Sequence, residues 1–392
     1  MIIKLIFVFP FTIDSSSVNN KKDIKSITNS FKILETNNRK KRKVKGEHLY
    51  KWETLIYYDV REPVNPFTID FALKAISKET CITFQKRSNL PQGSPGILYI
   101  YTGECESYVG KVVTNRVIHE TLHALGLYHE HCRFDRDIYL KIRHQNMDQD
   151  GIRNCEKVDR INSNTYFLNY DYGSIMHYGR YSYSINNRKT FVTIDPNYKR
   201  TIGQSQRLSF IDIKTLNYHY CSDVCSHKIP CTNQGYFDSK NCARCKCPEG
   251  FAGSFCQEIA KQRRGCRKPL ITVANKTTRI NFKGKKKCFI HLKTVPGRQI
   301  VIKLASINMF PHGRTKCFFK SSLEINYQVD KSVTGALFCG NNGSKLIISF
   351  NEHVIIYYRS EHVGNYVNLL IRSMEYQQMK LPARRLMRFR TH

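Results

Sequence analysis

Acidic residues are scarce in this chain. Its 392 residues include 31 Asp and Glu against 63 Lys and Arg, a formal net charge of +32 at neutral pH. That excess favours an acidic substrate or a polyanionic matrix as partner. Nucleic acid is disfavoured, because the basic residues are dispersed and no RNA- or DNA-binding motif accompanies them. Long apolar runs are missing too. Met1 to Ile13 is the nearest approach, but it is broken by Lys4 and falls short of the roughly 20 residues a spanning helix needs, so no transmembrane segment is expected. Its length and position suit a secretory signal within residues 1–17, although a clean small-x-small cleavage site is absent; a buried strand is the other reading. Cysteine, by contrast, is plentiful. Fifteen cysteines point to an oxidising compartment and hence to a secreted, extracellular protein. The length and the 41% hydrophobic content allow two or three domains with a sizeable core.

The most informative stretch is His119-Glu120-Thr121-Leu122-His123-Ala124-Leu125-Gly126-Leu127-Tyr128-His129. His119 and His123 are four apart, so on a helix both imidazoles project from one face and can grip one ion. Glu120 sits beside them and is the residue type that takes a proton from water activated by a metal. Gly126 can enter the left-handed conformation that ends a helix, after which the chain can return His129 as a third ligand. Three protein ligands leave one position open, as a catalytic zinc requires, with one Zn2+ per chain. Ile118, Leu122 and Leu125 give the opposite face a core stripe, and Thr114 or Asn115 could cap the start. A bare pair of histidines at this spacing also arises in ordinary packing; the added glycine and third histidine lengthen the pattern to that of the metzincin proteases. That pattern calls for a methionine-containing turn downstream, and Ser174-Ile175-Met176-His177-Tyr178-Gly179 supplies one.

With Glu130 directly after His129, and Tyr178 two residues after Met176, the segment from Trp52 to Cys221 resembles the astacin family. The resemblance implies an α+β catalytic domain with a mixed sheet and a zinc helix. It makes His119, His123, His129 and Tyr178 the metal ligands, Glu120 the general base, Met176 an apolar floor under the metal, and Tyr178 a group that swings away to stabilise the oxyanion. Glu130 would bind the new N-terminus after processing. In astacins the segment matching Gly103 to Lys111 is the edge strand to which an extended substrate adds; Tyr108 within it, and Arg188 after the methionine turn, are the candidate substrate-binding residues. Arg188 would favour an acidic residue just after the cut bond. Two features depart from the family. The propeptide lacks the usual Phe-x-Gly-Asp segment that blocks zinc, and only Lys111 to Ile118 separate Gly110 from the zinc helix, where astacins have a further strand and a second cysteine.

Local patterning adds strands over Trp52 to Tyr58 and Gly96 to Tyr101 and an amphipathic helix over Asn65 to Thr80. The expected domains are a signal peptide (1–17), a propeptide ending in Arg39-Lys40-Lys41-Arg42 (18–42), the protease domain (43–222), an EGF-like module (223–257), an all-β CUB-like sandwich (266–373) and a basic tail (374–392). The resemblance implies Cys81–Cys221 in the protease domain, and Cys132 and Cys155 are additional and could pair with each other. The EGF pattern selects Cys225–Cys242, Cys231–Cys245 and Cys247–Cys256 from fifteen possible pairings. Two cysteine pairs, Cys266–Cys288 and Cys317–Cys339, resemble those of a CUB domain, which leaves Cys105 over. The EGF-like module lacks the acidic residues of calcium-binding versions and reads as a spacer. Asn275 and Asn342 lie in glycosylation triplets expected on surface loops.

The reading of the whole is a secreted zinc endopeptidase acting on extracellular proteins or peptides. The alternative is a catalytically impaired secreted adhesion or matrix-binding protein working through its CUB-like domain; zinc content and peptide cleavage separate the two.

Overall fold

The computed structural model describes residues 3–8, 51–90, 95–101, 114–227, 229–313 and 315–376. The expected propeptide with its basic run, the segment Gly103 to Lys111 with Tyr108 and Cys105, and the tail beyond Tyr376 lie outside the described residues. Two compact units emerge, Met1–Phe134 with Arg153–Asn164, and Asp135–Ile152 with Thr165–His392. Residues 165–222 are grouped in the same compact unit as the EGF-like and CUB-like modules.

In the first unit, β2 (Leu55–Val60) lies between β3 (Thr83–Lys86) and β4 (Gly96–Tyr101), parallel to both. The helix expected from Asn65 to Thr80 is α1 (Pro66–Glu79). Asn65 caps it by accepting from the Phe67 amide, Pro66 opens its first turn, and Thr80 follows its last residue. Its buried residues Ile69, Ala72, Leu73 and Ile76 recur at helical spacing, and α1 packs on α2 (Thr114–Ala124). Within the N-terminal apolar run, β1 (Ile3–Val8) pairs antiparallel with β4, Ile3 opposite Tyr101 and Val8 opposite Gly96. Among the described residues, this strand supplies the partners for the backbone groups on the side of β4 away from β2.

In the second unit, β5 (Leu140–Ile142) and β6 (Phe191–Thr193) form a short antiparallel pair. The short helix α3 (Gln149–Asn154) crosses the division between the units, and α4 (Phe210–Tyr220) opens on a capping box of Ser209 and Asp212. The EGF-like module has β7 (Tyr236–Asp238) paired with β8 (Asn241–Lys246), and β9 (Phe251–Ala252) with β10 (Glu258–Ile259). Its bridges are Cys225–Cys242, Cys231–Cys245 and Cys247–Cys256, those the EGF pattern selects.

The CUB-like segment is a two-sheet sandwich of ten strands: β11 (Leu270–Thr272), β12 (Thr278–Lys283), β13 (Lys287–Lys293), β14 (Arg298–Met309), β15 (Ser322–Asn326), β16 (Ala336–Phe338), β17 (Gly340–Asn342), β18 (Lys345–Ile348), β19 (His353–Arg359) and β20 (Tyr366–Glu375). One sheet has the order β11-β13-β19-β15-β16; the other has β12-β20-β14-β17, with β18 also beside β14. Along β14, Ile302 and Leu304 are buried on either side of the exposed Lys303, as alternation in a half-buried strand requires, while further back Gln299, Ile300 and Val301 are all buried. Cys266–Cys288 and Cys317–Cys339 are both formed. The last strand ends at Glu375, two residues past the expected boundary of 373.

Three expectations change. Cys132 and Cys155 do not bridge each other: both are buried thiols, and the Cys132 Sγ donates to the Asn154 carbonyl at 3.3 Å, so its polar need is met by backbone. The EGF-like module is more than a spacer, because Cys245, Phe251 and Cys256 share a buried cluster with Ile355 and Tyr357 of the sandwich. The Tyr357 hydroxyl also donates to the Glu249 carbonyl at 2.6 Å. Finally, Asn342 ends strand β17 rather than lying in a loop, because its backbone pairs with Ile307; Asn275 is exposed, as expected.

Candidate metal centre

Helix α2 carries His119, Glu120 and His123 within its last two turns. Val117, Ile118 and Leu122 are buried and anchor the opposite face, while the Thr121 hydroxyl lies 2.9 Å from the hydroxyl of Tyr99 on β4. Thr114 is a helical residue rather than the cap. At the other end the chain reverses through a Schellman motif, with the Gly126 amide donating to the His123 carbonyl at 3.0 Å and the Leu127 amide to the Leu122 carbonyl at 2.9 Å. Gly126 adopts φ +88°, the left-handed conformation that glycine tolerates. The Trp52 indole donates to the Ala124 carbonyl at 2.9 Å, which satisfies another of the orphan groups at this terminus.

This reversal returns His129 to the helix face. Its Nε2 lies 3.3 Å from the Nε2 of His119 and 3.1 Å from that of His123. Nitrogens bound at 2.0–2.1 Å to a tetrahedral ion would lie about 3.3 Å apart, so the three imidazoles are spaced for one zinc. The His123 Nδ1 sits 2.8 Å from the Leu127 carbonyl. Donation there fixes the tautomer that leaves Nε2 with its lone pair toward the metal position. Glu120, next to His119, is partly exposed, as a group that must meet a substrate has to be. Glu130 is buried and ion-paired with the buried Arg133 at 3.2 Å. His131, which sequence reasoning passed over, stacks on His129 with ring centroids 5.0 Å apart.

The methionine turn belongs to the second unit. Met176 is buried, and Tyr178 is half-buried with its ring against Tyr183 and Phe191. Asp212, the N3 residue of α4, holds the turn by accepting from the Ser174 hydroxyl at 2.6 Å and the Ile175 amide at 3.0 Å. The Ser-x-x-Asp signature at Ser209 was readable in the sequence as a helix start, but not as a clamp on a turn 37 residues away. Arg188 is exposed on a loop fixed by the Ser184 hydroxyl, which donates to the Arg188 carbonyl at 2.7 Å.

The peptidase family described as Astacin matches residues 44–221. Zinc metalloproteinase nas-29 of Caenorhabditis elegans is 31% identical over 89% of this chain and 71% of its own length. The chain belongs to the astacin family. Zinc metalloproteinase nas-34 of the same nematode is 32% identical over 77% of this chain, which spans only 52% of that relative. Among solved structures, the hatching enzyme HCE-1 of the medaka Oryzias latipes is 31% identical over 42% of this chain and 87% of its own, with a TM-score of 0.36. In this astacin-family chain the zinc ligands are His119, His123 and His129, whose Nε2 spacing suits one ion and of which His123 has its tautomer set by the Leu127 carbonyl.

Proposed function

We propose that the protein is a secreted zinc endopeptidase, and the observation that carries this is the convergence of three imidazole nitrogens beside Glu120 on α2. Zinc, when bound, supplies Lewis acidity that lowers the pKa of water to about 7 and polarises the scissile carbonyl. Glu120 takes the proton of the attacking water and delivers it to the leaving amine. The Tyr178 hydroxyl donates to the oxyanion as it forms, and Met176 provides the apolar floor. The Leu127 carbonyl keeps His123 oriented through the cycle. Replacing Glu120 with Ala is expected to leave one zinc per chain and to lower kcat at least 100-fold, the lower end of what general acid–base catalysis contributes. Metal analysis and a peptide assay on the same sample check both halves. Wild-type protein that holds zinc yet cleaves nothing would favour the adhesion reading instead.

The substrate reading is an extracellular protein cut before an acidic residue. Its support is the charge of Arg188, an exposed guanidinium able to pair a carboxylate through two parallel hydrogen bonds. Profiling a mixed peptide library should show Asp or Glu enriched at the first primed position, and Arg188→Ala should flatten that position by about tenfold, the size of one exposed charge-assisted pair. An unchanged profile would remove Arg188 from the pocket. A polyanionic partner is supported by the groove that Lys199, Arg200 and Lys345 line above Leu337 and Phe338. Burial and the neighbouring cations hold Lys199 and Lys345 below the ordinary lysine range. Salt-sensitive retention on an immobilised sulfated polysaccharide, lost in Lys345→Ser, is the readout.

A further inference from the structure

The loop from Asp171 to His177 carries the methionine turn, and its first anchor is a residue of the CUB-like sandwich. The Asp171 side chain is fully buried. One of its carboxylate oxygens accepts from the Gly173 amide at 2.9 Å and from the Thr334 amide at 3.1 Å; the other accepts from the Thr334 hydroxyl at 3.3 Å. The Asp171 carbonyl in turn accepts from the Ser174 amide at 3.1 Å. From Ser174 the bonding continues along the loop, since its hydroxyl oxygen accepts from the Met176 amide at 3.0 Å and its carbonyl accepts from the His177 amide at 3.1 Å. Packing repeats what the hydrogen bonds say. A Cβ on Gly173 would lie 2.4 Å from the Thr334 Cβ, so the sandwich occupies the space that any larger residue at 173 would need. Thr334 thus meets the loop three times, by its amide, its hydroxyl and its methyl-bearing carbon, across 163 residues of sequence.

Neighbouring contacts leave little freedom for this seat. The Tyr327 hydroxyl donates to Asp195 at 2.6 Å, the Leu337 amide donates to the Thr201 hydroxyl at 2.9 Å, and Gln204 donates to the Cys317 carbonyl at 2.8 Å. All of these bonds join residues 165–222 to the sandwich inside one compact unit. Several are buried, where a lost partner costs the desolvation of the group left behind.

We propose that Thr334 is a positioning residue for the peptidase: it fixes Asp171 and Gly173 so that the turn presents Met176 and Tyr178 in their working places, which makes the CUB-like module a part of the catalytic apparatus rather than a tethered binding domain. The proposal rests on the reading of Tyr178 and Met176 given above. Catalysis is sensitive to such support, because a side chain displaced by about 1 Å can lose up to roughly a hundredfold in rate.

The test uses the full processed chain with zinc loaded, comparing wild type, Thr334→Val, which removes the hydroxyl at nearly constant shape, and Thr334→Ser, which restores it. Each is assayed for kcat, KM, zinc content, folded fraction and amide exchange over residues 173–177, with Glu120→Ala as the blank. Thr334→Val should lower kcat by roughly tenfold, below the hundredfold limit of such misplacement, with KM unchanged, zinc retained and faster exchange at Ser174 to His177. Thr334→Ser should return all of these to wild-type values. A wild-type kcat and exchange pattern in Thr334→Val overturns the proposal, and so does a loss that follows the folded fraction or appears in KM alone. If wild type shows no cleavage above the Glu120→Ala blank, the peptidase reading fails by itself. The exchange difference between Val and Ser then decides whether Thr334 orders the turn.

Discussion

Gly126 shows how much of the metal centre depends on one backbone conformation. It holds φ +88°, and a Cβ built there would meet nothing within 4 Å. Substitution by Ala is therefore opposed by the left-handed conformation alone, at about 1–2 kcal/mol. The same turn returns the Leu127 carbonyl to His123 and carries the chain on to His129, so strain relieved by unwinding would be relieved at the cluster. Gly126→Ala should bind zinc more weakly by up to about tenfold, the equivalent of 1.4 kcal/mol, while folding to the same content of helix. Competition with a chromophoric chelator measures this, and unaltered affinity would mean that the turn absorbs the change elsewhere. At this scale the sequence was legible. The histidine spacing, the glycine and the buried stripe of Ile118, Leu122 and Leu125 all act within one helix and the turn that follows it, where sequence distance and spatial distance nearly coincide. The tautomer-fixing carbonyl of Leu127 and the stacked His131 were not legible, because backbone groups carry no sequence signal and adjacent histidines suggest no geometry.

Where elements meet, the EGF-like module and the sandwich share two histidines. His291 on β13 lies 3.0 Å from the Gly250 carbonyl and 3.0 Å from the ring of His353 on β19, with the two rings stacked. Burial lowers the pKa of His291 from 6.5 to about 4. Burial, followed by the charges of Lys331, His291 and Lys293, depresses His353 further. Both are thus neutral in the folded protein while the unfolded chain takes up protons below 6.5. Their contribution to stability is complete above pH 6.5 and is lost as pH falls from there toward 4. Lys331, depressed by burial to about 7, has its own loss between the ordinary lysine range and pH 7, above this window. Melting temperatures between pH 7.5 and 4.5 should therefore fall as pH decreases, and His291→Gln should flatten that fall. An equally steep profile in the variant would place the sensitivity elsewhere. That this segment is rich in strands was foreseeable, but the junction was not, since nothing in the EGF pattern says which neighbour Gly250 will face.

For the whole molecule, the basic run Arg39-Lys40-Lys41-Arg42 predicts activation by processing. In the full chain Glu130 is met by Arg133, and in the resemblance it receives the new N-terminus instead. A chain begun near Lys43 or Gly46 is expected to be at least about tenfold more active than one begun at Met1, as a tenfold larger fraction of competent molecules would give. Comparing the two forms on one peptide checks this, and equal activity would reduce the basic run to a linker.

The sequence by itself determined the chemistry of the centre, which is written in the short-range spacing of His119, Glu120, His123, Gly126 and His129 and survives into three dimensions. The α+β plan and the pairing of the EGF-like and CUB-like cysteines followed from resemblance to known modules, since spacing alone leaves fifteen pairings open for six cysteines. Only the tertiary structure decided that Cys132 and Cys155 remain thiols, that residues 165–222 join the C-terminal modules, and that Thr334 seats the methionine turn. The cysteine outcome turns on a contact 22 residues away, and the other two on buried donors and acceptors that meet across more than 100 residues. Satisfying each of them is a requirement of the packed interior as a whole rather than of any local pattern.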